Sequence, residues 1–488
     1  MNTQDIQFVR RGEIIKLRNV PPTRTLLEIL REDLGSSATK EGCNEGDCGA
    51  CTVVLAQATG ERLHYRAVNG CIRLAHSIHG MALWTAEDLI TPDGGLHPAQ
   101  QALVQNHASQ CGFCTPGFVM SLFGMYQNHV SQGKTVSREL AQQELSGNLC
   151  RCTGYRPILD AAQQMGQLPP VRVDEFRVLQ KLKTIALEAE NQRSSDAYRA
   201  PHTLSELLAT RAQHPAAQLV AGCTDVGLWI NKMHRQFDQI LDVTQVRELR
   251  RVEDHPHHIA IGAAVTLTDA FDALTTNRPQ LQSFADRFAG LPVRNSGTLG
   301  GNVANGSPIG DSMPLLIALG ADVVLMSVRG SREMALEQLY TGYRQNVMAP
   351  DEVLAWIRVP KPTHNELMRV YKVSKRFDDD ISAVCLAVRL ELDGTQITHA
   401  SIGVGGVAAT PVRAIRTEAV LTNQPLTQAT IQAGMASLRS EFTPISDMRA
   451  SAVYRQQVLG NLLQRFWLES QGVEPVNLES FTLTGEEE

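Results

Sequence analysis

The sequence predicts an α+β protein built from several domains, and three observations carry this prediction. At 488 residues the chain is long enough for about three domains, each with its own buried core. Eight of its ten cysteines fall in two short sets in the first third of the chain. Beyond residue 200, strand-like and helix-like segments alternate and include two glycine-rich stretches.

The composition excludes several classes of protein. Hydrophobic residues at 43% and charged residues at 20% are typical of a globular protein, and a formal charge of −6 favours neither nucleic acid nor anionic membrane as a partner. The N-terminal MNTQDIQFVRRGEIIK lacks an apolar stretch of signal-peptide length. We therefore expect a cytoplasmic protein, in which clustered cysteines are more often metal ligands or redox groups than disulfides.

The first cysteine set has the spacing C-x4-C-x2-C, with a distant fourth cysteine. It comprises Cys43, Cys48, Cys51 and Cys71. Plant-type [2Fe–2S] ferredoxins use this arrangement. Gly42, Gly46 and Gly49 can adopt the positive φ angles that point backbone N–H groups at the sulfurs. A structural zinc site is the alternative, but zinc sites usually pair two C-x2-C knuckles.

The segments around this set suit a β-grasp domain. IQFVRRGEIIKL has the pattern of a hairpin, TLLEILRED that of a short helix, and TVVLA that of a strand leaving the cysteine loop. The sequence therefore predicts a ferredoxin-like [2Fe–2S] domain at the N-terminus.

The second cysteine set combines C-x2-C in QCGFCTPGFVM with C-x-C in GNLCRCTGYRP. Its members are Cys111, Cys114, Cys150 and Cys152. A C-x-C pair is uncommon in zinc sites because ligands so close in sequence strain a tetrahedral geometry. Beside the first set, this pattern favours a second [2Fe–2S] centre.

A predicted helix follows each of these pairs. Thr115 and Thr153 are candidate N-caps, and the helix dipoles would then present positive ends to a negatively charged cluster. Arg151 and Arg156 either add positive charge there or are solvated surface residues. Both interpretations stay open from the sequence.

This pair of segments resembles the iron–sulfur part of the molybdenum hydroxylases, the family of xanthine dehydrogenase and aldehyde oxidase. The resemblance implies that the first set holds the cluster nearer a flavin and the second the cluster nearer molybdenum. It also implies a helical-bundle fold for the second domain.

Two glycine-rich stretches lie beyond residue 200. LVAGCTDVGLWINKM predicts a strand, a tight turn at Gly222 and a helix beginning near Thr224, a weak signal for phosphate binding when taken alone. NSGTLGGNVANGSPIGDSMP interleaves glycines with polar side chains, which allows close approach to a large polar ligand. A mobile surface loop is the alternative, and the apolar LLIALGADVVLM that follows argues against it.

Both stretches resemble the FAD-binding segments of the same family, in the same order. The resemblance implies that the FAD diphosphate is held by Leu219, Val220, Ala221, Gly222, Cys223, Thr224, Asp225 and Val226. It implies a glycine loop along the cofactor formed by Thr298, Leu299, Gly300, Gly301 and Asn302. Further contacts are implied for Asp311, for Phe288 against the isoalloxazine, and for Leu354 and Lys372.

Several of these residues have plainer interpretations. Phe288 and Leu354 are equally compatible with an ordinary hydrophobic core, and Lys372 with a solvated surface. Cys223 departs from the glycine or asparagine expected there, and we interpret it as a packing residue. Cys385 lies in an apolar strand-like run and is expected to be buried.

One motif is a decoy. GVGGVA at 403–408 satisfies the dinucleotide-binding pattern G-x-G-x-x-A, but Pro411 prevents the helix that such a site requires. The segments around it alternate strands and helices, and they resemble the C-terminal domain of the family's flavoprotein unit.

The expected domains follow from these assignments. They are a [2Fe–2S] ferredoxin-like domain at 1–85, a helical [2Fe–2S] domain at 86–165, a linker at 166–195, a two-subdomain α+β FAD-binding domain at 196–365, a C-terminal α+β flavoprotein domain at 366–475 and a disordered tail at 476–488.

The resemblance implies an electron-transfer subunit of an NAD-dependent, xanthine-oxidising member of the family. Electrons would pass from molybdenum through the second cysteine set, the first set and FAD to NAD⁺. The fused members carry a molybdopterin domain after the flavin domain, so we expect molybdenum on a separate large subunit, in a heterotetramer. No residue that oxidises the substrate is then expected on this chain.

The sequence leaves three questions open. The partner's substrate could instead be an aldehyde or an N-heterocycle, and oxygen could replace NAD⁺ as the acceptor. A protein of another class, a zinc-stabilised scaffold, would also explain clustered cysteines.

Overall fold

The computed structural model describes residues 5–91, 94–189, 196–377 and 379–473. The chain divides into two compact units. The first comprises Met1–Arg247, Thr266–Thr268 and Ala289–Thr298, and the second comprises Glu248–Val265, Asp269–Phe288 and Leu299–Glu488. The end of the predicted linker, 190–195, and the predicted disordered tail lie outside the described residues.

The elements up to residue 247 belong to the first unit. The strands are β1 (Ile6–Arg10), β2 (Glu13–Leu17), β3 (Thr52–Thr59), β4 (Arg62–Asn69), β5 (Ala82–Trp84), β6 (Tyr198–Arg199), β7 (Gln218–Val220) and β8 (Ile240–Asp242). The helices are α1 (Leu26–Glu28), α2 (Pro98–Gln105), α3 (Thr115–Asn128), α4 (Arg138–Glu144), α5 (Arg156–Gln164), α6 (Glu175–Ala189), α7 (Leu204–Gln213) and α8 (Val226–Asn231).

The N-terminal sheet is open and has the order β2-β1-β5-β3-β4. The predicted hairpin is β1 and β2, paired antiparallel from Ile6↔Leu17. The predicted helix begins at α1, where Thr25 and Glu28 form a capping box, and it continues as a π-helical turn. Alternate residues of β3 face opposite sides, so Val53 packs on the α1 side and Val54 on the other.

The helical region packs on that second face of the sheet. Helix α3 is apolar almost all round, and Phe118, Phe123 and Tyr126 join the core that also contains Val54 and Trp84. Helix α6, inside the predicted linker, packs there too. Its Glu175 accepts a hydrogen bond from the Tyr65 hydroxyl at 2.9 Å, and burial raises the pKa of that tyrosine above its usual value. The [2Fe–2S] region and the linker helix therefore share one core.

The remaining elements lie between residues 248 and 473. The strands are β9 (Val252–Asp254), β10 (His258–Gly262), β11 (Asp322–Ser327), β12 (Gly330–Ala335), β13 (Tyr340–Gly342), β14 (Gln345–Asn346), β15 (Val353–Pro360), β16 (Glu366–Val373), β17 (Val384–Asp393), β18 (Gln396–Gly405) and β19 (Val412–Arg413). The helices are α9 (Leu267–Asn277), α10 (Gln282–Asp286), α11 (Leu291–Ser296), α12 (Leu299–Asn305), α13 (Ser312–Ala318), α14 (Ile415–Leu421), α15 (Gln428–Glu441) and α16 (Ala452–Ser470). Helix α11 belongs to the first unit.

The second unit contains two larger open sheets, ordered β12-β11-β15-β10-β9 and β16-β17-β18-β19. Strands β17 and β18 bury their apolar residues against α14, α15 and α16. The decoy motif closes β18 and leads into β19, and no helix opens before Ile415. Cys385 is fully buried, as expected. No helix among the described residues is long and apolar enough to span a bilayer.

A buried ion-pair network stabilises the second unit. Glu366 accepts two hydrogen bonds from Arg278, at 2.7 and 2.9 Å, and one from Arg389 at 3.1 Å. The Arg278 and Glu366 side chains are only 1% and 2% exposed. We expect Glu366→Gln to lower the free energy of unfolding by about 3–5 kcal/mol, because it leaves the buried Arg278 guanidinium without its counter-charge and leaves Arg389 paired with Glu391 alone.

The matched control for this variant is Glu333→Gln. Glu333 pairs with Arg358 in the same unit at 2.5 Å, but both side chains are about 40% exposed (39% and 42%). Losing an exposed pair costs about 1 kcal/mol or less. Urea denaturation of both variants, followed by circular dichroism, measures the difference. Equal stabilities would show that the Glu366 network contributes no more than a surface pair.

Candidate iron–sulfur and flavin sites

The first cysteine loop curls so that backbone N–H groups point at sulfur. The amide of Cys43 donates to Cys48 Sγ at 3.4 Å, and the amide of Cys48 donates to Cys43 Sγ at 3.3 Å. The Cys48 thiol and several backbone amides lower the pKa of Cys43, whereas the Cys43 sulfur and burial raise the pKa of Cys48, so the two sulfurs share one proton. Gly46 and Gly49 have the predicted positive φ angles, whereas Gly42 does not.

The other two cysteines of the set are deeply buried. Cys51, which precedes β3, and Cys71, which follows β4, are 2% and 1% exposed. Their side chains are in hydrogen-bonding contact with each other. The side-chain amide of Asn69 points at Cys51 Sγ from 3.9 Å. The strands β3 and β4 therefore bring together cysteines that are distant in sequence.

The second set lies near the first turns of α3 and α5. Cys114 contacts Cys150, and Cys111 contacts Cys152. Cys111 and Cys152 are exposed, in contrast to Cys51 and Cys71 of the first set. This set therefore lies at the surface of its unit.

The predicted helix caps of the second set are wrong. Thr115 is the first residue of α3, and Cys114 occupies the N-cap position. Helix α5 begins at Arg156 after Tyr155, so Thr153 lies outside it. The Thr153 hydroxyl instead donates to Cys150 Sγ at 3.2 Å, because the tight turn after Cys150 brings the two side chains together.

Both sets have a donor arrangement that fits a [2Fe–2S] cluster. Each holds four thiols that contact one another in two pairs. Within the described ranges, no group of three or more His, Cys, Asp or Glu side chains has the geometry of a single-ion site. A [2Fe–2S] cluster needs two cysteines on each of its irons, which is what two pairs supply.

The two cysteine loops touch each other. The Leu149 amide donates to the carbonyl oxygen of Cys48 at 3.0 Å, immediately before Cys150. Asn148 is buried and donates to the Gly49 carbonyl at 3.2 Å, and its own amide oxygen accepts from Ser121 at 2.6 Å. Sequence reasoning missed Asn148, for which proximity to Cys150 was the only signal. These bonds hold the two candidate cluster sites at a defined separation.

Within the first unit, the first glycine-rich stretch, around Gly222, packs against the beginning of the second glycine-rich stretch, at Ser296–Thr298. Gly222 follows β7 with φ +89°, and a Cβ atom there would lie 1.8 Å from the carbonyl oxygen of Ser296. The Thr298 hydroxyl donates to the Ala221 carbonyl at 3.4 Å. The turn at Gly222 therefore requires glycine, and it lies beside Thr298 as the resemblance implied.

Cys223 also has a left-handed backbone, with φ +66°. This conformation favours glycine or asparagine, which explains why cysteine is a departure there. The side chain is buried beside Val220 and Tyr198, and burial raises the pKa of the thiol to about 12. It is therefore a neutral packing residue.

Helix α8, which follows the Gly222 turn, packs directly on the first cysteine loop. The Asn231 amide donates to the Cys71 carbonyl at 2.8 Å, and Lys232 Nζ donates to the Cys43 carbonyl at 2.6 Å. A Cβ atom on Gly227 would lie 2.7 Å from the Ile72 carbonyl oxygen. No sequence signal marked Asn231 or Lys232, since these contacts depend on how the segments pack.

The prediction of a glycine loop after Thr298 is wrong, because this segment is helical. Leu299, Gly300, Gly301 and Asn302 open helix α12. A Cβ atom on Gly300 would lie 2.4 Å from the Cβ of Ala263, so this glycine lets the helix approach the end of β10. The Asn302 side chain accepts a hydrogen bond from Ser312 at 2.5 Å.

Asp311 and Lys372, two other predicted flavin residues, form a buried pair in the second unit. Lys372 Nζ lies 3.1 Å from Asp311 Oδ2 and donates to the Arg287 carbonyl, also at 3.1 Å. Ser382 donates to the same carboxylate at 2.8 Å. Lys372 is therefore not a solvated surface residue.

Phe288 and Leu354 lie in hydrophobic surroundings. The Phe288 ring packs on Phe271 and Phe284, with ring centroids 4.8 and 6.1 Å apart. Leu354 is buried in β15. Their contact with a flavin remains a prediction.

Comparison with known proteins supplies the classification. The chain matches models for a 2Fe-2S iron-sulfur cluster binding domain at residues 10–73, a [2Fe-2S] binding domain at 85–163, the FAD binding domain in molybdopterin dehydrogenase at 191–362 and the CO dehydrogenase flavoprotein C-terminal domain at 369–470. It is 34% identical to a xanthine dehydrogenase of Drosophila subobscura and 32% identical to one of Drosophila pseudoobscura pseudoobscura, in each case over 96% of this chain. The chain belongs to the molybdenum hydroxylase family.

This molybdenum hydroxylase chain spans 39% of the length of those two relatives. Its structure also resembles a chain of carbon monoxide dehydrogenase from Hydrogenophaga pseudoflava, with a TM-score of 0.53 and 27% identity. That match covers 55% of this chain and 94% of the other. The domains of the hydroxylase chain bind two [2Fe–2S] clusters and FAD, which confirms the predicted cofactors.

Proposed function

We propose that this chain is the electron-transfer subunit of a xanthine dehydrogenase. It receives electrons from molybdenum on a partner subunit, passes them through the second and then the first [2Fe–2S] cluster to FAD, and delivers them to NAD⁺. The relatives named xanthine dehydrogenase, which match 96% of this chain, support this assignment.

The observation that carries the proposal is the order of the two cysteine sets in the first unit. Cys111 and Cys152 are exposed, so a partner can approach the second cluster site. Cys71 is buried and accepts a hydrogen bond from Asn231 on the helix that follows the Gly222 turn. The two sets are joined through Leu149 and Cys48. These contacts support a route in which the second set receives electrons and the first passes them toward the flavin.

The residues of this chain supply binding and orientation. A [2Fe–2S] cluster carries one electron at a time, whereas a flavin can store two and release them as hydride. The amides of Cys43 and Cys48 point at the ligand sulfurs of the first set. Burial of Cys51 and Cys71 keeps water away from that side of the cluster site, and both factors influence its potential.

Two groups of residues are proposed to hold FAD. In the first unit, the Leu219–Val226 turn and Thr298 bind the diphosphate through backbone N–H groups and the threonine hydroxyl. In the second unit, Asp311 and Lys372 hydrogen-bond the cofactor, and Phe288 and Leu354 offer it apolar surface. Residues Leu299–Asn302 are proposed to contact FAD from the first turn of helix α12, not from an extended loop.

The partner is proposed to be a molybdopterin-binding large subunit, paired with this chain in a heterotetramer. Xanthine then binds only to the partner, and no residue of this chain contacts it. The domain ranges 1–85, 86–165, 196–365 and 366–475 are proposed as the working limits of the four domains.

The first test combines composition and spectroscopy. We expect anaerobically purified chain to contain four irons, four acid-labile sulfides and one FAD, and to lose visible absorbance on reduction. Co-expression with the large subunit should give a complex that reduces NAD⁺ with xanthine faster than with aldehydes or N-heterocycles. Zinc in place of iron would contradict the cluster assignment, and preference for another substrate would reassign the partner.

A further inference from the structure

A closed cycle of hydrogen bonds surrounds Cys150 of the second set. The Thr153 hydroxyl donates to Cys150 Sγ at 3.2 Å, and the Thr153 amide points at the same sulfur from 3.5 Å. The Tyr155 amide donates to Thr153 Oγ1 at 3.2 Å. The Cys150 amide in turn donates to the Tyr155 hydroxyl oxygen at 3.0 Å.

The cycle fixes the direction in which the Thr153 hydroxyl donates its proton. Because Thr153 Oγ1 already accepts from the Tyr155 amide, its own proton is free to point at Cys150 Sγ. The same cycle occupies the Cys150 amide, so that amide does not point at sulfur. In the first set, by contrast, the amides of Cys43 and Cys48 donate to sulfur.

Tyr155 holds this arrangement at a conformational cost. Its backbone lies in the left-handed region, with φ +68°, which is unfavourable for a tyrosine. Its ring packs edge-on against Phe118, with ring centroids 6.4 Å apart. The strained backbone places the Tyr155 amide on Thr153 and its hydroxyl on Cys150.

We propose that Thr153 is a positioning residue that raises the reduction potential of the second [2Fe–2S] cluster through its hydroxyl hydrogen bond to Cys150 Sγ. Reduction adds one negative charge to a cluster, and hydrogen bonds to the sulfurs stabilise the reduced form more than the oxidised form. A higher potential makes the exposed cluster a better acceptor for electrons arriving from a partner. The proposal rests on the second set holding a [2Fe–2S] cluster, and only its consequence for partner electrons rests on the proposed function.

The test compares Thr153→Val, which removes the hydroxyl at nearly constant shape, with Thr153→Ser, which keeps it. Electron paramagnetic resonance at controlled potentials, on the full-length chain with its partner, measures each cluster separately. In T153V we expect the equilibrium constant for reducing the second cluster to fall about tenfold, which is about 59 mV for one electron. T153S should match the wild type, and the first cluster should be unchanged in both variants.

Each other outcome overturns the proposal. An unchanged potential of the second cluster in T153V, or equal shifts in T153V and T153S, would show that the hydroxyl does not tune it. Should T153V fail to assemble the cluster, T153A removes the same donor with a smaller side chain. Loss of two irons from both T153V and T153A, while T153S keeps all four, would show that Thr153 is needed for cluster assembly and does not tune the potential. Iron and sulfide analysis of the wild type tests the cluster assignment independently.

Discussion

Replacing Cys150 with alanine should abolish electron flow from xanthine to NAD⁺ while leaving electron flow from NADH to an artificial dye intact. Cys150 is one of four thiols in the second set, paired with Cys114. A cluster that has lost a ligand cannot keep its geometry, and changes in the shell outside the ligands already cost about 10–100-fold. We therefore expect the xanthine-to-NAD⁺ rate to fall at least about a hundredfold.

The separation of the two activities follows from the proposed order of the electron-transfer sites. In the dye reaction, electrons pass from NADH to the flavin and then to the dye. This path does not use the cluster held by the second cysteine set. Steady-state assays of the complex measure both rates, and iron analysis should show two of the four irons lost. If both activities fell together in a folded, FAD-loaded variant, the proposed route would be wrong.

Cys385→Ala is the matched control for Cys150→Ala. Cys385 is buried in β17 and belongs to neither cysteine set. Like Cys150→Ala, this substitution replaces a buried cysteine with alanine and removes one sulfur atom. We expect this variant to retain four irons per chain, so that iron loss in Cys150→Ala reports on ligation and not on cysteine removal in general.

Replacing Gly222 with alanine should strip the chain of FAD. The new Cβ atom would lie 1.8 Å from the Ser296 carbonyl oxygen and 2.7 Å from its carbon, so the turn and the Ser296–Thr298 segment must separate. The φ angle of +89° adds strain for any side chain. We expect FAD affinity to fall more than about tenfold, a loss of about 1.4 kcal/mol or more. The FAD-to-protein ratio after gel filtration, and fluorescence binding measurements, report this change.

The control for this variant is Gly60→Ala. Gly60 lies in the turn between β3 and β4 with φ +63°, and a Cβ atom there meets nothing within 4 Å. It shares the backbone strain of Gly222→Ala but not the collision. Gly60→Ala should keep its FAD, and Gly222→Ala should keep its four irons. Full FAD binding by Gly222→Ala would show that the turn does not hold the cofactor.

The local elements of the two [2Fe–2S] domains could be predicted because their signals are short-range. The hairpin β1–β2, the strand after Cys51 and the helices after each cysteine pair depend on alternation, glycine and helical periodicity within a few residues. The decoy motif was rejected correctly for the same reason, since Pro411 acts on its own neighbours.

Predictions of exact caps and loop conformations were less successful. Thr153 has the side chain of an N-cap, but the turn that follows Cys150 directs its hydroxyl to sulfur. The stretch after Thr298 reads as a loop from its glycines, yet packing on Ala263 makes Gly300 part of a helix. Tertiary contacts decided both, because packing in the folded protein routinely overrides the intrinsic conformational preference of a single residue.

The number and spacing of the cysteines already specify the ligand chemistry of this protein, because they can be read directly from the order of its residues. Which segments contact one another depends on how the chain packs. Asn148 joins the two cysteine loops, Asn231 joins the flavin turn's helix to Cys71, and Arg278 lies buried on Glu366. These contacts link residues far apart in the chain, and no local pattern encodes them because each depends on a packed core bringing two backbones within hydrogen-bonding distance.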